Sequence, residues 1–132
     1  MASAVPFEPR GAWTALVTPF DAEGRFDAEA FARLVRFQVD QGVTGVVPCG
    51  TTGESPTLTW QEHDQAIAVA VEAAAGRAGV LAGTGSNNTA EAIRGTRDAK
   101  ARGASACLLV DCYYNGPSSL ELRNEYYQRV LD

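Results

Sequence analysis

One hundred and thirty-two residues with 11 Lys and Arg, 16 Asp and Glu, one His and 45% hydrophobic side chains describe one mildly acidic globular domain over 1–132, not a disordered chain. The formal charge of −5 repels a phosphate backbone and no Lys/Arg cluster offsets it, so nucleic acid is a poor partner and a small or anionic metabolite must be held locally by amides and hydroxyls. No apolar run approaches the roughly 20 residues of a membrane span, and 1–10 lack the basic start and apolar stretch of a signal peptide, so the expected location is cytoplasmic, away from any membrane.

The first strand is predicted over 12–18, closed by Pro19, which cannot donate to a sheet. A turn at 21–24 leads to a helix from Asp27, with Phe31, Leu34, Val35 and Val39 at helical spacing and Gly42 at its end. The pattern repeats with a strand over 43–49, the loop Gly50-Thr51-Thr52-Gly53-Glu54-Ser55, and a helix opened by a T-x-x-E capping box at Thr59 and Glu62. Its buried stripe is expected at Ala66, Ile67, Ala70, Val71 and Ala74. A third strand over 79–82 passes through the loop 83–87 into a helix that Gly103 stops. A fourth, over 106–110, passes through Tyr113-Tyr114-Asn115-Gly116-Pro117 into a helix with an S-x-x-E box at Ser118 and Glu121, running to the last residue.

Apolar strands alternating with amphipathic helices every 30 residues or so predict an α/β fold with parallel pairing. Two architectures fit. An open doubly wound sheet closes at this length, whereas an eight-unit barrel needs about 250 residues, of which this chain supplies half. In both, the loops after the strands form the binding rim. Here they are rich in Gly, Thr, Ser, Asn and Tyr and hold no Lys or Arg.

Cys49, Cys107 and Cys112 are odd in number, with neither a C-x-x-C pair nor a His cluster, which argues for reduced, mostly buried thiols and against a disulfide framework or zinc site. No metal and no cofactor is expected. Gly50, Thr51, Thr52 and Gly53 read either as a carboxylate or phosphate site built from amides and hydroxyls, or as a glycine loop joining strand to helix. Neither nucleotide fingerprint is present. Tyr113 and Tyr114 read either as a proton-carrying pair or as interface packing. His63 reads as a surface or capping residue, and Glu54 as a cap on the loop amides.

The ordered segments 15–20, 50–58, 82–87 and 113–115 closely resemble the dihydrodipicolinate synthase and N-acetylneuraminate lyase family, with Thr51-Thr52 resembling the synthase branch. The resemblance implies the N-terminal four βα units of a (β/α)8 TIM barrel and a tetrameric, pyruvate-dependent lyase. Its lysine condenses with pyruvate as a Schiff base, and in the synthase branch the enamine attacks aspartate semialdehyde for lysine biosynthesis. It further implies that Thr51 joins a proton relay, Thr52 with the Gly50 to Gly53 turn grips the pyruvate carboxylate, Tyr114 is a relay tyrosine given to a neighbouring subunit, and Tyr113 packs across that interface. An inhibitory lysine site would comprise Ser55, Trp60, His63, Asn87 and Glu91.

Two departures stand out. The family's Schiff-base lysine belongs to a strand downstream of Tyr113-Tyr114-Asn115, whereas the only lysine here is Lys100, on a helix. An imine requires an amine within bonding reach of the ketone, so the isolated chain is expected to be inactive. Asp111-Cys112 stands where the synthases usually carry Thr-Pro, which keeps a sister sugar-acid or sialic acid aldolase open. A non-catalytic half-barrel that associates with another copy, and an open-sheet phosphate-binding domain, are the competing readings.

Overall fold

The computed structural model describes residues 5–132, so the first four residues of the segment read for a signal peptide lie outside it. Strand β1 (Trp13–Ala15) is followed by helix α1 (Ala28–Asp40), β2 (Gly45–Val47), a 3-10 turn (Ser55–Thr57), α2 (Trp60–Ala74), β3 (Gly79–Gly83), α3 (Thr89–Arg102) and β4 (Ala106–Leu108). The chain closes with α4 (Ser119–Glu121), a π-helical segment (Leu122–Tyr127) and α5 (Gln128–Leu131). No helix among the described residues is long and apolar enough to cross a membrane.

The strands pair in parallel in the order β1-β2-β3-β4, with Trp13 opposite Gly45, Val46 opposite Val80 and Leu81 opposite Ala106. Each strand adds beside its predecessor, without the reversal of order that defines a doubly wound sheet. Helix α1 packs on α2 and α2 on α3, so the helices form one layer. This is the winding of a barrel, and the chain is a half-barrel. The open-sheet phosphate-binding reading falls on this point, because it requires the switch in strand order that the sheet lacks.

The core lies between the sheet and that helix layer. Leu16, Val46, Val80 and Ala82 meet Phe31, Val35, Val39, Ala66, Ile67 and Ala70, all buried. On the other face of the sheet Val17, Leu108 and Val110 are exposed. There the Trp13 ring lies across Gly45 and Gly79: a Cβ on Gly79 would sit 2.6 Å from the ring, and one on Gly45 closer still.

Local chemistry sets the helix ends. Asp27 caps α1 by accepting from the Ala30 amide at 2.8 Å, the Thr59–Glu62 box opens α2, and Gly103, at φ 95°, closes α3. The ladders are shorter than the apolar runs that predict them. Ala73 takes the buried place expected of Val71, which is half-buried. The C-terminal helix is not regular: its π turn directs Tyr126 and Val130 onto Ala92 of α3.

Candidate functional site

The loops that follow the strands gather at one end of the sheet. After β2 the backbone passes through Cys49, a buried residue at φ 56°, a conformation costly for any side chain with a Cβ. It then folds into a tight turn, with the Gly53 amide donating to the Gly50 carbonyl at 3.0 Å and the Glu54 amide to Thr51 at 3.1 Å. Gly53 is held against the end of β1: Thr18 Oγ1 donates to its carbonyl at 2.7 Å, and a Cβ there would lie 3.0 Å from the Leu16 carbonyl oxygen. Thr51 and Thr52 are left exposed at the tip. Glu54 does not cap the loop. It adopts φ 57° and its side chain makes no capping bond to the 3-10 turn; its carbonyl instead accepts from Thr57 Oγ1 at 2.9 Å.

Between this turn and the loop after β3 lies a cleft of about 750 Å³. Gly50, Thr51 and Tyr113 line it, and so do Ser55, Trp60, His63, Asn87 and Glu91. The five residues singled out as a lysine site therefore share one cavity with the first threonine of the turn. Thr52, Gly53 and Tyr114 do not line it. Tyr113 is 61% exposed and Tyr114 88%, so Tyr114 projects away from its own chain.

His63 differs from the surface residue expected of it. Only 2% exposed, its ring lies 4.9 Å from that of Trp60. Its Nε2 donates to the Gly83 carbonyl at 2.7 Å, which fixes the proton on Nε2. Burial lowers its pKa, so the ring is neutral at pH 7. Its Nδ1 has no hydrogen-bond partner among the described residues and faces Asp64 Oδ1 at 3.9 Å. On the outer side of Trp60 the Arg94 guanidinium carbon stacks 4.5 Å from the indole centroid, so the aromatic wall of the cleft is held from both faces.

The polar residues of the cleft are already tied to the loops around them. Glu91 Oε2 accepts from Ser86 Oγ at 2.7 Å, and Asn87 Oδ1 accepts from the Tyr113 amide at 2.8 Å. Sequence reasoning marked Asp111 only as a departure from the family pattern and gave no role to Ser86, Tyr126 or Tyr127; all four join the same loops. Tyr126 OH accepts from the Ser86 amide at 3.2 Å, and Tyr127 OH donates to Asp111 Oδ1. These pairs are 40 and 16 residues apart in sequence, so no local pattern announced them. Cys49 is buried and its thiol is pushed up to about 12 by burial, which leaves it inert beside the site. All three cysteines are free.

Lys100 is exposed in the last turn of α3. That helix leaves the rim at Thr89 and ends just before β4 starts, so Lys100 lies at the end of the sheet opposite the cleft.

The curated 4-hydroxy-tetrahydrodipicolinate synthase of Brucella suis is 52% identical over 122 residues, covering 92% of this chain and 41% of the relative. The crystal structure of dihydrodipicolinate synthase from Acinetobacter baumannii complexed with pyruvate superposes with a TM-score of 0.87 at 40% identity, covering 92% of this chain and 41% of that one. The enzyme from Cyanidioschyzon merolae with lysine bound gives 0.85 at 37% identity, covering 89% and 40%. The chain thus spans about two-fifths of the length of these relatives. Residues 8–132 match the dihydrodipicolinate synthetase family, and the chain belongs to that family.

Proposed function

We propose that this chain supplies the N-terminal βα units of a pyruvate-dependent class I lyase of the dihydrodipicolinate synthase type, condensing pyruvate with aspartate semialdehyde in lysine biosynthesis. The carrying observation is the convergence of Thr51 and Tyr113 on one cleft in a chain that is 52% identical to a synthase. In this reading Thr52 and the turn amides grip the pyruvate carboxylate, and Thr51 relays protons. Tyr114, projecting outward at 88% exposure, serves a neighbouring subunit's site, with Tyr113 packed at the junction of a homotetramer in the cytoplasm. The amine that condenses with the pyruvate ketone, releasing water, lies outside these 132 residues. The position of Lys100 at the far end of the sheet supports this.

Borohydride reduction of the full-length protein with pyruvate is expected to add one reduced pyruvate to a lysine beyond Asp132. The 132-residue chain alone should gain none. No adduct on the full-length protein, or an adduct on Lys100, defeats the reading. Turnover with aspartate semialdehyde against sugar-acid aldehydes separates the synthase from a sister aldolase, the alternative that Asp111-Cys112 favours.

The shared cavity supports a regulatory role for the same cleft, with Glu91 meeting the ammonium of L-lysine and Trp60 covering its stem. Calorimetry on the full-length protein should show L-lysine heat that Glu91→Gln abolishes; no heat at millimolar concentration removes this part. A half-barrel that pairs with a second copy is the other reading, favoured by exposed Val17, Leu108 and Val110. It takes precedence if the protein's natural mass matches 132 residues and no adduct forms.

A further inference from the structure

The loop carrying Tyr113 and Tyr114 has little apolar burial to fix it: residues 113–116 are exposed. Loops of this kind keep one conformation only where polar bonds hold them. Here those bonds converge from one direction. The π-helical segment Leu122–Tyr127 presents two successive tyrosines, with rings 5.1 Å apart and inclined at 69°. The rings meet edge to face, and the two phenols reach different partners. Tyr126, 2% exposed, takes the Ser86 amide of the loop after β3. Tyr127 donates to the Asp111 carboxylate at the start of the loop after β4, a charge-assisted bond of the stronger class.

Ser86 joins the two loops a second time. Its carbonyl lies 3.9 Å from the Cys112 thiol, its hydroxyl donates to Glu91, and the same hydroxyl accepts from the Asn88 amide at 3.1 Å. The neighbouring Asn87 holds the Tyr113 amide. A continuous set of contacts therefore runs from the π turn through Asp111 and Ser86 to the main chain of Tyr113. π turns concentrate at functional positions because the wider turn costs stability and persists where its geometry is used.

We infer that Tyr126 and Tyr127 form a clamp across the two rim loops, and that with Asp111 and Ser86 they are positioning residues that set Tyr113 and Tyr114 for the reaction. The inference rests on the lyase reading above for its kinetic consequence, and on this chain's own contacts for the clamp itself. Of the four, only Ser86 lines the cleft, and its hydroxyl is taken up by Glu91 and the Asn88 amide.

The test uses the full-length protein as wild type and as Tyr126→Phe, Tyr127→Phe, Asp111→Asn and Asp111→Ala. Tyr127→Phe and Asp111→Ala are expected to lower kcat about tenfold while the pyruvate KM stays within about twofold, the signature of a displaced reacting group and not of a lost substrate contact. Tyr126→Phe should fall on the same side of that split. Asp111→Asn keeps a carbonyl that accepts from Tyr127 and should retain most of the wild-type kcat. A folded Tyr127→Phe with wild-type kcat, or an Asp111→Asn as slow as Asp111→Ala, overturns the clamp.

One readout needs no turnover. The bond to Asp111 pushes the Tyr127 phenol up to about 12, so alkaline difference spectra of wild type against Asp111→Ala should show one phenol ionising at lower pH in the variant. Identical spectra overturn the clamp. If Tyr127→Phe does not fold, this spectrum and the asparagine rescue decide the matter. If wild type forms no pyruvate adduct, the lyase reading fails and the spectrum alone decides the clamp.

Discussion

Helix α2 and the C-terminal helix start from the same hydrogen-bonded device. In one, Glu62 accepts from the Thr59 amide and hydroxyl at 2.9 and 2.8 Å; in the other, Glu121 accepts from Ser118 at 2.8 and 2.7 Å. Beyond the box they part. Helix α2 runs 15 residues and buries His63, Ala66, Ile67, Ala70, Ala73 and Ala74 against the sheet. The C-terminal helix keeps α geometry for three residues, widens into a π turn and buries only Tyr126 and Val130. A cap starts a helix, but what the helix packs against decides whether it stays regular and how much it stabilises. The first three units own the main core; the fourth is attached to them by a small apolar cluster and by polar bonds.

The widest gap between the two helices should appear on truncating their buried side chains. Ile67→Ala, at 0% exposure, is expected to cost about 2–5 kcal/mol in denaturant unfolding. Val130→Ala, on the thin side, should cost about 1.5 kcal/mol, and equal losses would erase the distinction. The caps provide a finer version of the same contrast. Thr59→Ala should cost about 1 kcal/mol in global stability. Ser118→Ala should leave global unfolding nearly unchanged and instead accelerate amide exchange over 119–127.

Acid should act on the α2 side. Burial lowers the pKa of His63 from its ordinary 6.5, so the unfolded chain binds the proton more readily and stability falls as pH drops below about 6.5. A thermal midpoint that declines below that pH in wild type and less so in His63→Gln is the expected result; parallel curves would place the acid sensitivity elsewhere. The smallest effect concerns reactivity. Alkylation at pH 8 should label Cys112 first, Cys107 more slowly because burial raises its thiol, and Cys49 only on unfolding.

The contrast also explains what could be read in advance. Elements governed by neighbours in sequence were legible: Asp27, the Thr59–Glu62 box and Gly103 mark helix ends because caps act over three or four residues. Strand order was not, since parallel pairing is a relation between units some 30 residues apart, and periodicity is the same for a barrel and an open sheet. The burial of His63 depends on Gly83, 20 residues away, while its own helix gave it polar neighbours. The cleft residues were legible only through the family resemblance. Asp111 and Tyr127 share no motif, and only the fold brings them together.

The indole of Trp13 laid over Gly45 and Gly79 ties three positions into a single evolutionary character. A side chain added at 45 or 79 meets the ring, and overpacking of that kind is destabilising. Shrinking the ring first leaves a hollow, which is destabilising too. Substitutions among the three are therefore strongly non-additive: every one-step path between this filling and another descends through a less stable protein.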